Sequence, residues 1–203
     1  MAIAAALLFV LTTASLHVAA PSRQATNEPR GLTAEEVQVV IAALDKTALP
    51  EARHFSGKPL AVMADTTLAI CGPTTSQWCI RGPFPSHISN ISRDRDAARA
   101  LTDIFYARNA TSSVVAAIVD RVVVAPAQEI EDLFQGGRGW NEFHNRFGRA
   151  PIIRFSAPAI AGDEAVVYVT FSCGELCGKV WMVGLEKQDG QFRVRKVDLL
   201  AIA

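Results

Sequence analysis

The chain has 203 residues, of which 50% are apolar and 20% are charged. This is enough for one sizeable hydrophobic core, whereas two full domains would be cramped. Twenty basic and twenty acidic residues cancel. Charge therefore gives no reason to expect nucleic acid or an anionic membrane surface as a partner.

The N-terminal segment has the pattern of a secretory signal. Residues 2–11 are continuously apolar, and the small pair Ala19-Ala20 follows. Ten apolar residues are too few to span a bilayer, which needs about twenty. We predict a signal peptide over residues 1–20, a linker over 21–31 and one domain over 32–203, with no stable membrane span once the signal is removed. An n-region without Lys or Arg and the presence of Pro21 leave two alternatives, an uncleaved anchor or a mispredicted start codon.

The four cysteines form two close pairs, Cys71 with Cys79 and Cys173 with Cys177. Local, even pairing is typical of disulfides in an oxidising compartment, which agrees with a periplasmic or secreted location. Two alternatives remain open, a zinc site and a redox-active dithiol. Structural zinc sites favour two to four residues between the ligands of each pair, whereas seven residues separate Cys71 from Cys79. A redox dithiol favours Cys-x-x-Cys before a helix, whereas Cys173-x-x-x-Cys177 lies between predicted strands.

Hydrophobic periodicity predicts a chain of mixed helices and strands. Thr33 and Glu36 have the spacing of a capping box, which predicts a helix that begins there and ends before Pro50. The spacing of Trp140, Phe143 and Phe147 predicts a helix with an aromatic core face. The other predicted elements are strands at 60–70, 121–125 and 152–156 and helices at 94–108 and 128–134.

In the last third of the chain, two independent features predict how the strands align, a tight turn and a disulfide bridge. Asp189-Gly190 is the pair that a two-residue type I′ hairpin requires, and it places Gln188 opposite Gln191. A Cys173–Cys177 bridge sets those two cysteines opposite each other. The two registers agree, and alternation along the strands gathers one apolar face. Its members are Val167, Val169, Phe171, Trp181, Val183, Leu185, Phe192 and Val194.

The opposite face of these strands is half polar. Glu186 and Arg193 are expected to form a cross-strand ion pair there. Tyr168 and Met182 lie on the same face, so the four residues Tyr168, Met182, Glu186 and Arg193 are a possible ligand surface. The alternative is an ordinary solvated face of an antiparallel sheet. The predicted fold is α+β, with a curved antiparallel sheet of four or five strands, a C-terminal three-stranded meander and helices packed on one face.

The C-terminal segments resemble an uncharacterised family of exported bacterial proteins. Its pattern is W-x-x-F-x-x-x-F/Y-P, S-G-I-x-x-F/L-S, A-L-V-Y-V, C-G-x-L-C-G-x-G and L-x-K-x-x-G-x-W. The chain matches it over residues 140–197, and Asp65-Thr66-Thr67 is similar to a further short motif of that family. It departs at Gly148, Val180 and Phe192, where the family has Pro, Gly and Trp. The resemblance implies export and an α+β fold only, because the family has no assigned activity.

No H-E-x-x-H, G-x-S-x-G, P-loop or Rossmann motif is present in the sequence. We therefore expect an exported binding or interaction module for an unidentified small molecule or protein, with no cofactor, metal or nucleic acid. One alternative is a secreted hydrolase or redox enzyme with a site assembled from distant residues such as Asp65, His144 and Ser156. Another is a structural component of the cell envelope.

Overall fold

The computed structural model describes residues 30–55, 58–71, 79–135 and 139–203. The predicted signal peptide and most of the predicted linker lie outside these residues. The described helices are α1 Ala34–Lys46, α2 Ala48–Ala52, α3 Phe84–Ile91, α4 Arg95–Arg108, α5 Ala127–Phe134 and α6 Gly139–Phe147. The strands are β1 Ala61–Ala64, β2 Val122–Ala125, β3 Ile152–Phe155, β4 Ala159–Ala161, β5 Glu164–Gly174, β6 Cys177–Gln188 and β7 Gln191–Ile202.

The seven strands form one mixed sheet in the order β2-β1-β3-β5-β6-β7, and β4 pairs with β5. β1 is parallel to both β2 and β3, while all later pairs are antiparallel. The α+β class is confirmed, but the prediction of a purely antiparallel sheet with four or five strands is wrong. Every residue of β1 is buried, as is usual for a central parallel strand that is covered on both faces.

The predicted strand at 60–70 is only partly present. Residues Ala61–Ala64 form β1, and the chain beyond them makes isolated bridges from Thr66, Leu68 and Ile70. The capping box is confirmed, with Thr33 and Glu36 each accepting from the other's backbone N–H.

The predicted C-terminal register is confirmed along most of its length. Val169 lies opposite Trp181, Leu185 opposite Val194 and Gln188 opposite Gln191. Asp189 and Gly190 both have positive φ, 51° and 78°, as a type I′ turn requires. The hairpin tip differs, because a bulge between Ser172 and Gly174 places Gly174, not Cys173, opposite Cys177.

One face of the sheet carries the predicted apolar set. These side chains pack with buried residues of α1 and α2, including Val40, Leu44 and Leu49. Trp181 is 6% exposed and Val183 is fully buried. Burying each large apolar side chain stabilises the fold by roughly 1.5–3 kcal/mol, so this layer anchors the C-terminal strands.

The opposite face is also covered, which corrects the prediction of helices on one face only. Phe84, Ile88 and Phe105 of α3 and α4 pack on Tyr168 and Met182. Over β1 and β3, the aromatic face of α6 and Ile130 of α5 form a further cluster. The predicted aromatic core helix is thereby confirmed.

Gly184 of β6 lets α3 lie close to this second face. A Cβ at this position would lie 2.9 Å from the Ile91 backbone oxygen and 3.1 Å from the Ile91 Cβ. Because real Cβ atoms do not approach backbone this closely, any larger residue would push α3 off the sheet.

Candidate functional site: a groove beside the edge of β7

The structure does not bring the four residues of the predicted ligand surface together on an open surface. Tyr168 is 8% exposed and Met182 is fully enclosed beneath α3 and α4, and burial raises the pKa of the Tyr168 phenol. Glu186 lies opposite Arg193 as predicted. Its carboxylate, however, accepts a hydrogen bond from Arg93 Nη2 at 2.9 Å. Of the four, Arg193 is exposed to solvent.

The residues of the enzyme alternative each interact with other groups. Ser156 is fully buried, and its Oγ accepts from the Tyr168 N–H at 3.0 Å. Asp65 Oδ1 accepts from the Ala127 N–H at 2.8 Å, while the His144 ring contacts Trp140 at 5.4 Å between centroids. No hydrogen bond of the described residues joins any two of Asp65, His144 and Ser156.

Asp65 instead belongs to an enclosed charged cluster at the carboxyl ends of β1 and β3. Arg154 is 4% exposed, and its Nη1 lies 3.9 Å from Glu131 Oε1. Burial lowers the pKa of Arg154, whereas the charges of Glu131 and Asp65 raise it. Since the guanidinium is enclosed, this cluster offers a ligand no surface.

The four cysteines are paired as predicted. Cys71 is bonded to Cys79 and Cys173 to Cys177, with Cα separations of 5.0 and 5.1 Å. The two disulfides suggest an oxidising, extracytoplasmic environment. Among the residues described, no group of three or more His, Cys, Asp or Glu side chains could hold a metal ion. No helix in the described ranges is both long and apolar enough to cross a membrane.

The outer edge of β7 is the longest strand edge that the described residues leave without a neighbour. β7 pairs with β6 on one side, and no described strand pairs with its other side. The strand has 12 residues, whereas β2 at the opposite edge of the sheet has four. An edge of this kind presents unpaired N–H and C=O groups on which another strand can add.

The turn fixes which backbone groups of β7 point outward. In a two-residue hairpin, the pair that closes the turn exchanges both hydrogen bonds, and pairs alternate from there. Gln191 and Arg193 therefore direct their N–H and C=O groups at β6. Phe192 and Val194, opposite Lys187 and Leu185, direct theirs away from the sheet.

Helix α1 overhangs this part of the edge and makes it the floor of a groove. We define the edge groove as the space between α1 residues Gln38, Ile41, Ala42, Asp45 and Lys46 and β7 residues 191–194. It consists of two adjoining clefts of about 260 and 330 Å³. Each lies at or below the lower end of the roughly 300–1,000 Å³ usual for small-molecule sites, so each cleft suits a single side chain.

The walls of the edge groove are apolar at the base and polar at the rim. Phe192 is 5% exposed, Ile41 and Ala42 are half-buried, and Gln38 and Asp45 are exposed. Side chains of an added strand that lie on the α1 side of the sheet would enter these clefts.

An ion pair links α1 to the β6–β7 hairpin near the edge groove. Lys187 Nζ donates to Glu35 Oε1 at 2.7 Å and lies 5.6 Å from the centre of the Phe192 ring. The hydrogen bond to Glu35 and the charge of that carboxylate raise the pKa of Lys187. This lysine therefore stays cationic at neutral pH and links α1 to the β6–β7 hairpin.

A bulge limits how far an added strand can pair. The register between β6 and β7 shifts between Gly184 and Leu185, so Val194 and Lys196 face consecutive residues of β6 and Arg195 is extra. Bulges of this kind interrupt pairing and re-aim an edge. We expect regular pairing over residues 191–194 only.

A second apolar cleft lies at the hairpin tip. It measures about 270 Å³ and is lined by Phe55, Phe171, Ile202 and the disulfide Cys173–Cys177. Leu176 at its rim is 90% exposed. Its charged pair, Lys179 and Glu51, is satisfied internally at 2.6 Å.

Comparison with family models, with curated proteins and with solved structures finds no match to this chain. The groove therefore has to be interpreted from its own geometry. The sequence identified Phe192 and Val194 only as core residues. The Asp189-Gly190 turn already fixed which of their backbone groups point outward, but which strand forms the edge depends on the whole sheet.

Proposed function

We propose that this chain is an exported protein-binding module that recognises an extended segment of a partner protein by strand addition to β7. The outward backbone groups of Phe192 and Val194, lying beside the edge groove, are the observation that carries this proposal. Main-chain hydrogen bonds would supply affinity, and the two clefts would supply side-chain selectivity. The two disulfides support a periplasmic or secreted location.

A partner segment is favoured over a second copy of β7. Antiparallel self-pairing within the regular segment, with Val194 beside Phe192 or Val194 of the other copy, places Arg193 opposite Arg193 or Arg195 of that copy. Like charges directly opposite each other on neighbouring strands are destabilising. A segment of different sequence avoids this repulsion.

Panning a phage-displayed library of random nonapeptides on the purified protein tests the proposal. We expect recovered peptides to alternate apolar with polar residues and to lose binding to an Ala42→Trp variant, because the new side chain fills the edge groove from α1 without altering β7. Ala34→Trp is the matched control, since Ala34 is exposed on the same helix and lies outside the groove. If no peptides are enriched, or if the recovered peptides bind both tryptophan variants equally, the proposal is wrong. A dimer that Ala42→Trp dissociates would identify a second copy as the occupant and would also refute it.

A further inference from the structure

We propose that the segment bound at β7 alternates apolar with acidic residues, an inference that rests on the proposed function and names the chemistry of its ligand. An added strand continues the alternation of faces in the sheet. Its residues beside Phe192 and Val194 lie on the α1 side, where the clefts are apolar. Those beside Arg193 lie on the α3 side.

The α3 side of the β7 edge is cationic. Arg193, Arg195 and Lys196 follow one another closely along the strand. Arg195 Nη2 donates to the Ile91 backbone oxygen and lies 3.6 Å from Glu164, and Lys196 Nζ donates to the Asn90 oxygen at 2.8 Å. These two cations therefore neutralise the carboxyl end of α3. Asp198, the acidic residue of β7, is held by His87 Nδ1 at 2.9 Å.

Arg193 is left available for a ligand. Glu186, its cross-strand neighbour, is bound by Arg93, which also lies 3.4 Å from Glu164. The Arg193 guanidinium makes no hydrogen bond or ion pair with any residue that the structure describes. An exposed arginine at the edge of a sheet, beside a strand-addition groove, favours an acidic side chain directly opposite it.

Three acetylated and amidated nonapeptides test this inference, with valine alternating with glutamate, threonine or lysine. We expect the glutamate peptide to bind up to about fivefold more tightly than the threonine peptide, the lysine peptide to bind most weakly, and added salt to reduce these differences. Arg193→Glu should reverse the order. Arg99→Glu on α4 makes the same change of charge at another exposed arginine, one that is 78% exposed, and should leave the order unchanged.

The outcomes separate the two proposals. If peptides bind but Arg193→Glu leaves their order unaltered, the acidic preference is wrong while strand addition stands. If none of the three binds and library panning also recovers no peptide, the proposed function fails with it. A reversal that Arg99→Glu reproduces would reduce the effect to overall net charge and would overturn the inference.

Discussion

Replacing Glu36 by glutamine is expected to lower the melting temperature by about 6–12 °C. Glu36 is 4% exposed, and its carboxylate accepts from Arg108 Nε at 2.7 Å, from the Thr33 N–H at 2.7 Å and from Arg30 Nη2 at 3.1 Å. Removing one partner of a buried ion pair costs about 3–5 kcal/mol. Because the Arg108 side chain keeps 17% of its surface in water, we expect about 3 kcal/mol, at 2–4 °C for each kcal/mol in a chain of this size.

The stability lost in the Glu36→Gln variant should depend on pH. Burial raises the pKa of Glu36, but the hydrogen bonds from Arg108, Thr33 and Arg30 and the charge of Arg108 outweigh it and lower the pKa from 4.5 to about 2. The unfolded chain therefore takes up this proton at a higher pH than the folded chain does. The stabilisation is fully present above pH 4.5 and is lost as the pH falls toward 2. The difference in free energy of unfolding between parent and variant should shrink over that range.

Glu35→Gln is the matched control. Glu35 is the neighbouring residue on α1 and pairs with Lys187 at 2.7 Å, but its side chain is 45% exposed. Exposed ion pairs contribute little to stability, so this variant should melt close to the parent. Equal melting temperatures for Glu36→Gln and the parent at pH 7 would show that Glu36 does not hold α1 to α4.

Replacing Val194 by proline should weaken binding of a selected nonapeptide by about tenfold or more. Proline has no N–H, so an acceptor on the added strand loses its donor, at a cost of about 1–3 kcal/mol. The Val194 N–H points away from β6, so the β6–β7 ladder keeps its hydrogen bonds. Proline is tolerated at such outward positions of edge strands. Titration of a fluorescent peptide measures the change in Kd.

Val194→Thr keeps the N–H and nearly the same shape and should retain peptide binding. Circular dichroism and thermal unfolding of both variants show whether the hairpin is intact. A folded Val194→Pro protein that binds the peptide as tightly as Val194→Thr would rule out strand addition at this position.

The C-terminal hairpin could be predicted because its register is set by local chemistry. Asp189-Gly190 demands positive φ at two consecutive positions, and the Cys173–Cys177 pair closes a loop of fixed length. The one error, at Cys173, comes from a bulge that leaves no signal in the alternation of residues. The capping role of Glu36 could likewise be predicted from its spacing to Thr33. Its ion pair with Arg108 could not, because Arg108 is 72 residues further along the chain.

The parallel strands and the second helical layer could not be predicted in the same way. The neighbours of β1 come from residues near 122 and 152, far along the chain. The alternation of residues within a strand does not show which strands lie beside it. Helix α3 had a detectable signal, since Phe84, Ile88 and Ile91 recur at helical spacing, but its eight residues also hold Pro85 and two serines. Once α3 lies on the sheet, a face that looked half polar becomes core.

The edge groove could not be predicted from the sequence for the same physical reason. A strand edge is free only if no other segment pairs with it, and the sequence of β7 does not contain that information. The apolar residues Phe192 and Val194 satisfy the core on one face, while their backbone groups serve the groove. Side-chain patterns alone reveal only the first role.

Hydrogen exchange at single amides of β7 tests the central claim most directly. In the free protein, the N–H groups of Phe192 and Val194 should exchange at least about tenfold faster than those of Gln191 and Arg193, which are bonded to β6. Adding a selected nonapeptide should slow exchange at Phe192 and Val194 to the level of their neighbours. Slow exchange at all four positions before any peptide is added, or no change at Phe192 and Val194 on binding, would contradict strand addition to β7.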